Sequence, residues 1–133
     1  MVISTGVDLA EIERIARALD AAHGARFRAR VYTDEEQRYC DARGRGRAES
    51  YAARFAAKEA VMKALGVGWG RGAGWRDIAV VRKPRSAPTV ELSGAALATA
   101  RRRGIARLSL ALSHAGGLAV AFVVAEDDAV ARG

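Results

Sequence analysis

Residues 49–65 have the sequence ESYAARFAAKEAVMKAL, an alanine-rich stretch that predicts one long helix. The next residue, Gly66, is of the type that most often ends a helix in the left-handed conformation. Glu59 and Lys63 stand four residues apart, so they share one face of this predicted helix. Their spacing fits either a surface ion pair or part of a charged functional site.

A second carboxylate follows a short apolar run at the N terminus, Met1–Val7, which predicts a β-strand. From Asp8 onward, apolar residues recur at helical spacing. Asp8 is therefore either the cap of a helix, with Glu11 completing a capping box, or a metal ligand. In the second interpretation Asp8 and Glu59 provide oxygen ligands for a hard cation such as Mg²⁺, with the Lys63 charge beside it. These are the components of a site that handles phosphate groups.

The rest of the pattern predicts an α+β fold. Thr33 and Glu36 have the spacing of a capping box at a helix start. Arg107–His114 and Leu118–Glu126 are apolar runs on either side of a small-residue turn, as in a β-hairpin. Further predicted elements are a basic loop at 43–47, strands at 77–82 and 89–92, and a helix from Ser93 to Gly104. We expect one domain over residues 1–133, with long helices packed on an antiparallel sheet and a frayed tail at 127–133.

The composition narrows the class of partner. The chain has 133 residues and a formal net charge of +7, which favours an anionic partner. Nucleic acid is one such partner, but aromatic residues make up only 6% of the chain, too few for a base-stacking platform. Cys40 is the single cysteine, so we expect a reducing compartment and a buried, structural thiol. Neither a signal pattern nor a bilayer-length apolar run is present, so we expect a soluble, cytoplasmic protein without a membrane partner.

Three segments stand out by their order and spacing. They are GVD at 6–8 with Glu11 and RI at 14–15, AARFAAKEA at 52–60 followed by KA at 63–64, and LSH at 112–114 followed by AVA at 119–121. Together they resemble the motifs of holo-acyl-carrier-protein synthase, the short type of 4′-phosphopantetheinyl transferase. The resemblance covers nearly the whole chain.

The resemblance implies an enzyme that moves the phosphopantetheine arm of coenzyme A onto a serine of an apo acyl carrier protein and releases 3′,5′-ADP. By match to the motifs, Asp8 and Glu59 are the Mg²⁺ ligands, and Glu59 and Lys63 are the catalytic residues. The group that accepts the serine proton, either Glu59 or a metal-associated water, stays open. Family members are homotrimers with sites between subunits. The implied coenzyme A contacts are Arg45 (for the basic loop), Arg54, Lys63, Gly66, Ser113 and His114.

Acyl carrier proteins are acidic, so the resemblance also predicts a basic docking surface, which we place at Arg14, Arg17 and Arg26. If a helix begins at Asp8, Arg14 lies roughly 120° around it from Asp8. Two alternatives use other chemistry: a basic nucleic-acid-binding module, and a structural trimer without catalysis. Whether the carrier serves fatty-acid or polyketide synthesis is left open by the sequence.

Overall fold

The computed structural model describes residues 1–68 and 70–128. Its strands are β1 (Val2–Glu11), β2 (Ile78–Val81), β3 (Thr89–Leu92), β4 (Arg107–Ala115) and β5 (Leu118–Glu126). Its helices are α1 (Ile12–Asp20), α2 (Gly24–Val31), α3 (Asp34–Asp41), α4 (Arg47–Leu65) and α5 (Gly94–Arg102), with short 3-10 turns at Gly44–Gly46 and Trp75–Asp77. The predicted α+β class is confirmed. Within the described ranges, no helix has both the length and the apolar character needed to cross a bilayer.

A three-stranded antiparallel sheet, in the order β1-β5-β4, supports the long helix α4, while β2 and β3 form a separate hairpin. α4 packs against β1 and β5. The inward side chains of β5 are small and buried: Ala119, Ala121, Val123 and Ala125. The facing positions of α4 are also mostly buried alanines. Small side chains on both surfaces let the helix backbone lie close to the sheet.

Gly6 marks the closest approach of β1 to α4. A Cβ built on Gly6 would lie only 1.9 Å from the backbone oxygen of Ala60. On the same side of β1, the Ser4 hydroxyl donates to the backbone oxygen of Ala64. The strand is thus held against the helix backbone just before Asp8.

Several predicted boundaries are confirmed. Thr33 and Glu36 form the expected capping box at the start of α3. Gly66 ends α4 with a left-handed φ of 76°. The predicted hairpin is formed by β4 and β5, which pair from Arg107 with Glu126 down to Ala115 with Leu118.

The beginning of the chain differs from the prediction. β1 continues through Asp8, which pairs with Ala121 of β5, so the interpretation of Asp8 as a helix cap is wrong. α1 begins four residues later at Ile12, and its cap residue Glu11 makes no side-chain capping bond. Leu9 fits a helical pattern in the sequence, yet it lies on the outer face of the sheet and is 59% exposed. α2 has no counterpart among the predicted elements.

A buried ion pair joins α3, α4 and the segment leading into β2. The Lys58 ammonium lies 2.8 Å from a Glu36 carboxylate oxygen, and both side chains are almost fully buried. Lys58 also donates to the backbone oxygens of Trp75 and Ile78. Glu36 accepts from the backbone amides of Thr33 and Val80. Because removing one partner leaves an uncompensated buried charge, this network fixes which side of α4 faces α3.

Cys40 is buried in α3, as predicted, and burial raises the pKa of its thiol to about 11. The frayed tail was expected at 127–133, of which 129–133 lie outside the described residues. Asp127 is described, and its carboxylate pairs with the N-terminal ammonium of Met1 at 3.0 Å.

Candidate active site

Three charged side chains meet where β1 crosses α4. Asp8 lies on the inner face of β1, two residues after Gly6, and its side chain is 15% exposed. The Lys63 ammonium donates to an Asp8 carboxylate oxygen at 2.7 Å and to the backbone oxygen of Val7 at 3.1 Å. Glu59 lies one helical turn before Lys63 on the same side of α4. The structure thus brings together the three residues singled out from the motifs.

The charges of this cluster do not balance, because two carboxylates share one ammonium. Burial first, and then the negative charge of Asp8, raise the pKa of Glu59 above its usual value. The hydrogen bond to Asp8 raises the pKa of Lys63. Among the described residues, no group of three or more acidic, His or Cys side chains is arranged to hold a metal. Two carboxylates are nevertheless what Mg²⁺ commonly takes from a protein, its other ligands being water and substrate phosphates. The donor set therefore fits Mg²⁺.

A cavity of about 520 Å³ opens beside the carboxylates. Asp8, Glu59 and Arg14 provide charged groups in its lining, whereas Phe27 and Phe55 are among its apolar walls. Such a cavity suits a ligand that has both a charged and an apolar part.

A second cavity, of about 370 Å³, is lined by Glu59, Lys63 and Trp75. The Trp75 ring stacks on Phe55 with a centroid distance of 5.1 Å. Phe55 lines the first cavity, Trp75 lines the second, and Glu59 lines both. The stacked aromatic pair and Glu59 therefore separate the two cavities. No sequence motif marks Trp75 or Phe27, because their contacts with the site depend on tertiary packing.

The other residues implied by the motifs lie elsewhere on the chain. Arg54 is buried on a different side of α4, facing α3 and β2. His114 is exposed on β4, and its imidazole lies 3.6 Å from the Glu49 carboxylate. Its groove also contains Leu118, which lines the 520 Å³ cavity as well. Neither cavity at Glu59 is lined by any of the residues Arg45, Arg54, Gly66, Ser113 and His114. His114 lines a neighbouring groove instead.

The arginines predicted to receive a carrier lie on α1 and α2. Arg14 lines the cavity that contains Asp8, so the predicted separation of roughly 120° is wrong, since Asp8 is not part of the helix. Arg17 is exposed and lies 3.6 Å from Glu13. Arg26 is exposed on α2.

The comparison with known families agrees with this geometry. A family profile described as the 4′-phosphopantetheinyl transferase superfamily matches residues 4–123. The chain belongs to this superfamily. Its membership confirms the resemblance that the three motifs indicate.

Individual relatives match over almost the full chain. The holo-[acyl-carrier-protein] synthase of Anaeromyxobacter dehalogenans is 48% identical over 128 residues, covering 95% of this chain and 97% of that one. The crystal structure of the Neisseria meningitidis holo-[acyl-carrier-protein] synthase superposes with a TM-score of 0.85 at 32% identity, covering 96% of this chain and 100% of that chain. The Helicobacter pylori synthase, solved in complex with coenzyme A, gives a TM-score of 0.79 at 32% identity, with coverages of 92% and 99%.

Proposed function

We propose that this protein transfers the 4′-phosphopantetheine arm of coenzyme A to a serine hydroxyl of an apo acyl carrier protein, releasing 3′,5′-ADP. The observation that carries the proposal is the cluster of Asp8, Glu59 and Lys63 between two cavities, in a member of this transferase superfamily. The reaction is nucleophilic attack of the hydroxyl on the β-phosphorus of a diphosphate, with 3′,5′-ADP as the leaving group. Negative charge on the phosphoryl oxygens must then be stabilised.

Asp8 and Glu59 are the residues that would hold Mg²⁺. When bound, the ion would polarise the diphosphate oxygens and offset their charge. The pair suits this role because the two carboxylates lie close together and repel each other, as the rise that the Asp8 charge causes in the pKa of Glu59 indicates, while Lys63 forms its ion pair with Asp8. A hard dication relieves that repulsion better than a second lysine would, since it can take an oxygen ligand from each of the two carboxylates.

Lys63 places its ammonium at the junction of Asp8 and the 370 Å³ cavity. There it would contact the phosphates and offset the charge that develops as the diphosphate is cleaved. Glu59 is the chain's own candidate to accept the serine proton, because its carboxylate lines both cavities and would lie beside the attacking hydroxyl. The apolar walls at Phe27 and Phe55 suit the pantetheine arm.

Coenzyme A is long enough to extend beyond these cavities. Its remaining contacts are proposed from the motifs, at Arg45, Arg54, Gly66, Ser113 and His114. For the acidic carrier we propose the exposed arginines of α1 and α2, Arg14, Arg17 and Arg26, of which Arg14 lines the 520 Å³ cavity. Because Arg14 lines the cavity, its positive charge would lie beside the path by which the carrier's serine reaches the carboxylate cluster.

We also propose a cytoplasmic homotrimer with sites between subunits. The outer face of the larger sheet supports this assembly, because apolar residues cover it. Val7 and Phe122 are direct cross-strand partners and are 53% and 44% exposed, and Leu9 beside them is 59% exposed. A contiguous apolar sheet face is a typical interface between subunits. Phe122→Asp should therefore lower the molar mass measured by light scattering. Ser109→Asp is its control, because Ser109 also faces outward but lies on β4 in a more polar part of the sheet, and it should leave the molar mass unchanged.

The direct test is mass spectrometry of an apo carrier protein incubated with coenzyme A and Mg²⁺. We expect the carrier to gain one phosphopantetheine, and we expect Asp8→Asn and Glu59→Gln to abolish the gain without unfolding the chain. Glu91→Gln is the matched control, because Glu91 is exposed on β3 and lines neither cavity. An unmodified carrier with the wild-type chain, or full transfer by both site variants, contradicts the proposal.

A further inference from the structure

Lys58 precedes Glu59 on α4, but its side chain is fully buried and lines neither cavity at Glu59. The Lys58 ammonium contacts three different segments of the chain. It pairs with a Glu36 oxygen of α3 at 2.8 Å, and it donates to the backbone oxygen of Trp75, in the 3-10 turn before β2, at 3.0 Å. Its third hydrogen bond goes to the backbone oxygen of Ile78, the first residue of β2. Each of the three N–H donors of the ammonium thus has an acceptor.

An ion pair is not required to fill this part of the core. Apolar side chains of similar volume often stabilise a protein as well as a buried ion pair does, because the two ions lose their hydration. What a lysine adds here is a link to two backbone oxygens, which cannot rotate away as a side chain can. The Lys58 ammonium therefore fixes the distance from α4 to the turn that carries Trp75.

The Trp75 side chain lines the 370 Å³ cavity, and α4 contributes Glu59 and Lys63 to the same lining. The Trp75 ring stacks on Phe55 of α4, with a centroid distance of 5.1 Å and 25° between the ring planes. Lys58 thus holds the backbone of Trp75, while Phe55 holds its ring. Together the two contacts set how far the ring stands from the charged groups of α4.

We propose that Lys58 is a positioning residue for the transfer reaction, which sets the width of the 370 Å³ cavity by holding Trp75 at a fixed distance from α4. The inference rests on the proposed function, in which this cavity receives the diphosphate of coenzyme A beside Lys63. Lys58 is buried too deeply to contact a substrate, so its effect passes through Trp75. A wider cavity should impair the use of coenzyme A more than that of the carrier, because Trp75 does not line the 520 Å³ cavity proposed for the approach of the carrier's serine.

The first test is steady-state kinetics with each substrate varied. Lys58→Met/Glu36→Gln is the main variant, because it removes the link to Trp75 without leaving a buried carboxylate unpaired. We expect kcat/KM for coenzyme A to fall roughly 10- to 100-fold, through a higher KM, whereas KM for the carrier should not change. Asp34→Asn is the matched control. It breaks an exposed ion pair with Arg76 that also joins α3 to this turn, and such a pair contributes little.

The fluorescence of Trp75 tests the link without any transfer. Trp69 is the other tryptophan of the sequence, so Trp69→Phe leaves Trp75 as the single emitter. In that background the main variant should shift the emission of the folded chain to longer wavelength, because the half-buried ring gains access to water. The control variant should not shift it. Should the main variant not fold, Lys58→Arg takes its place: it keeps the charge beside Glu36, and its larger head group must push the turn outward.

The proposal is overturned if the emission of Trp75 in the folded variant equals that of the wild type, or if KM rises equally for both substrates. It is also overturned if Trp75→Ala and the main variant raise KM for coenzyme A independently of each other, since Lys58 would then not act through Trp75. A carrier left unmodified by the wild-type chain contradicts the proposed function. The emission measurement still decides whether Lys58 holds Trp75 in place, so the two failures are distinguishable.

Discussion

Gly6→Ala tests how closely the fold presses β1 onto α4. The new Cβ would lie 1.9 Å from the Ala60 oxygen, whereas real Cβ contacts are essentially never shorter than 3.0 Å, so the two elements must separate by about 1 Å. The obstacle is helix backbone, which cannot rotate away as a side chain can. Overpacking of this kind destabilises proteins by about 1–3 kcal/mol, and we expect the upper half of that range here.

The same displacement should reach the active site, because Asp8 follows Gly6 by two residues on the same face of β1. The Asp8–Lys63 contact of 2.7 Å would lengthen beyond hydrogen-bonding distance if it followed the strand. A misplacement of about 1 Å can lower turnover by roughly 100-fold.

Urea unfolding and the carrier-modification assay measure the two effects of Gly6→Ala separately. Gly46→Ala is the control: at Gly46 φ is −85° and the nearest atom to a new Cβ is 3.8 Å away. We expect that control to lower the free energy of unfolding by about 1 kcal/mol at most, the preference for glycine over alanine at a helix N-cap, and so by less than Gly6→Ala. A Gly6→Ala chain as stable and as active as wild type would refute the close-packing argument.

Three further predictions concern ionisation, the thiol and the carrier. Without metal, the raised pKa of Glu59 favours its protonated form in the folded chain, so the Tm should fall as pH rises from 4.5 through the raised value. Glu59→Gln should remove that step, and Mg²⁺ at neutral pH should raise the Tm of the wild type but not of this variant. Because burial raises the pKa of Cys40 to about 11, iodoacetamide should label the thiol only after denaturation; rapid labelling of the folded chain would contradict this. Arg17→Glu should raise KM for the carrier and not for coenzyme A, an effect that shrinks with added salt; Arg101→Glu serves as the control, and equal losses towards both substrates would exclude α1 as the docking surface.

The sequence predicts those elements whose signals are local. The capping box at Thr33, the left-handed Gly66 and the small-residue turn between β4 and β5 each depend on a few adjacent residues. The boundary at Asp8 fails for a physical reason. The inward residues of β1 at this point, Gly6, Asp8 and Ala10, are small or charged, and the apolar Val7 and Leu9 face outward. Leu9 can therefore be taken for the first apolar residue of the helical pattern that continues at 12 and 15.

For the candidate active site, the motifs mark the charged cluster but not the residues that line the cavities around it. Asp8, Glu59 and Lys63 belong to motifs, and the fold brings them together. Trp75 enters the site because the Lys58 ammonium binds its backbone oxygen and Phe55 stacks on its ring, contacts that no local pattern indicates. The position of Arg54 is likewise set by the packing of α3 on α4.

Lys58 and Glu59 show why one helix can serve two different purposes. They are adjacent in sequence, so on a helix they point about 100° apart. Lys58 is fully buried in its pair with Glu36, and this contact fixes the rotation of α4 about its axis. With that rotation fixed, Glu59 and Lys63 face β1, where Gly6 leaves room for the helix to approach Asp8. The buried ion pair thus acts on the active site through orientation, and weakening it should displace the Glu59 carboxylate even though Lys58 contacts neither of the cavities at Glu59.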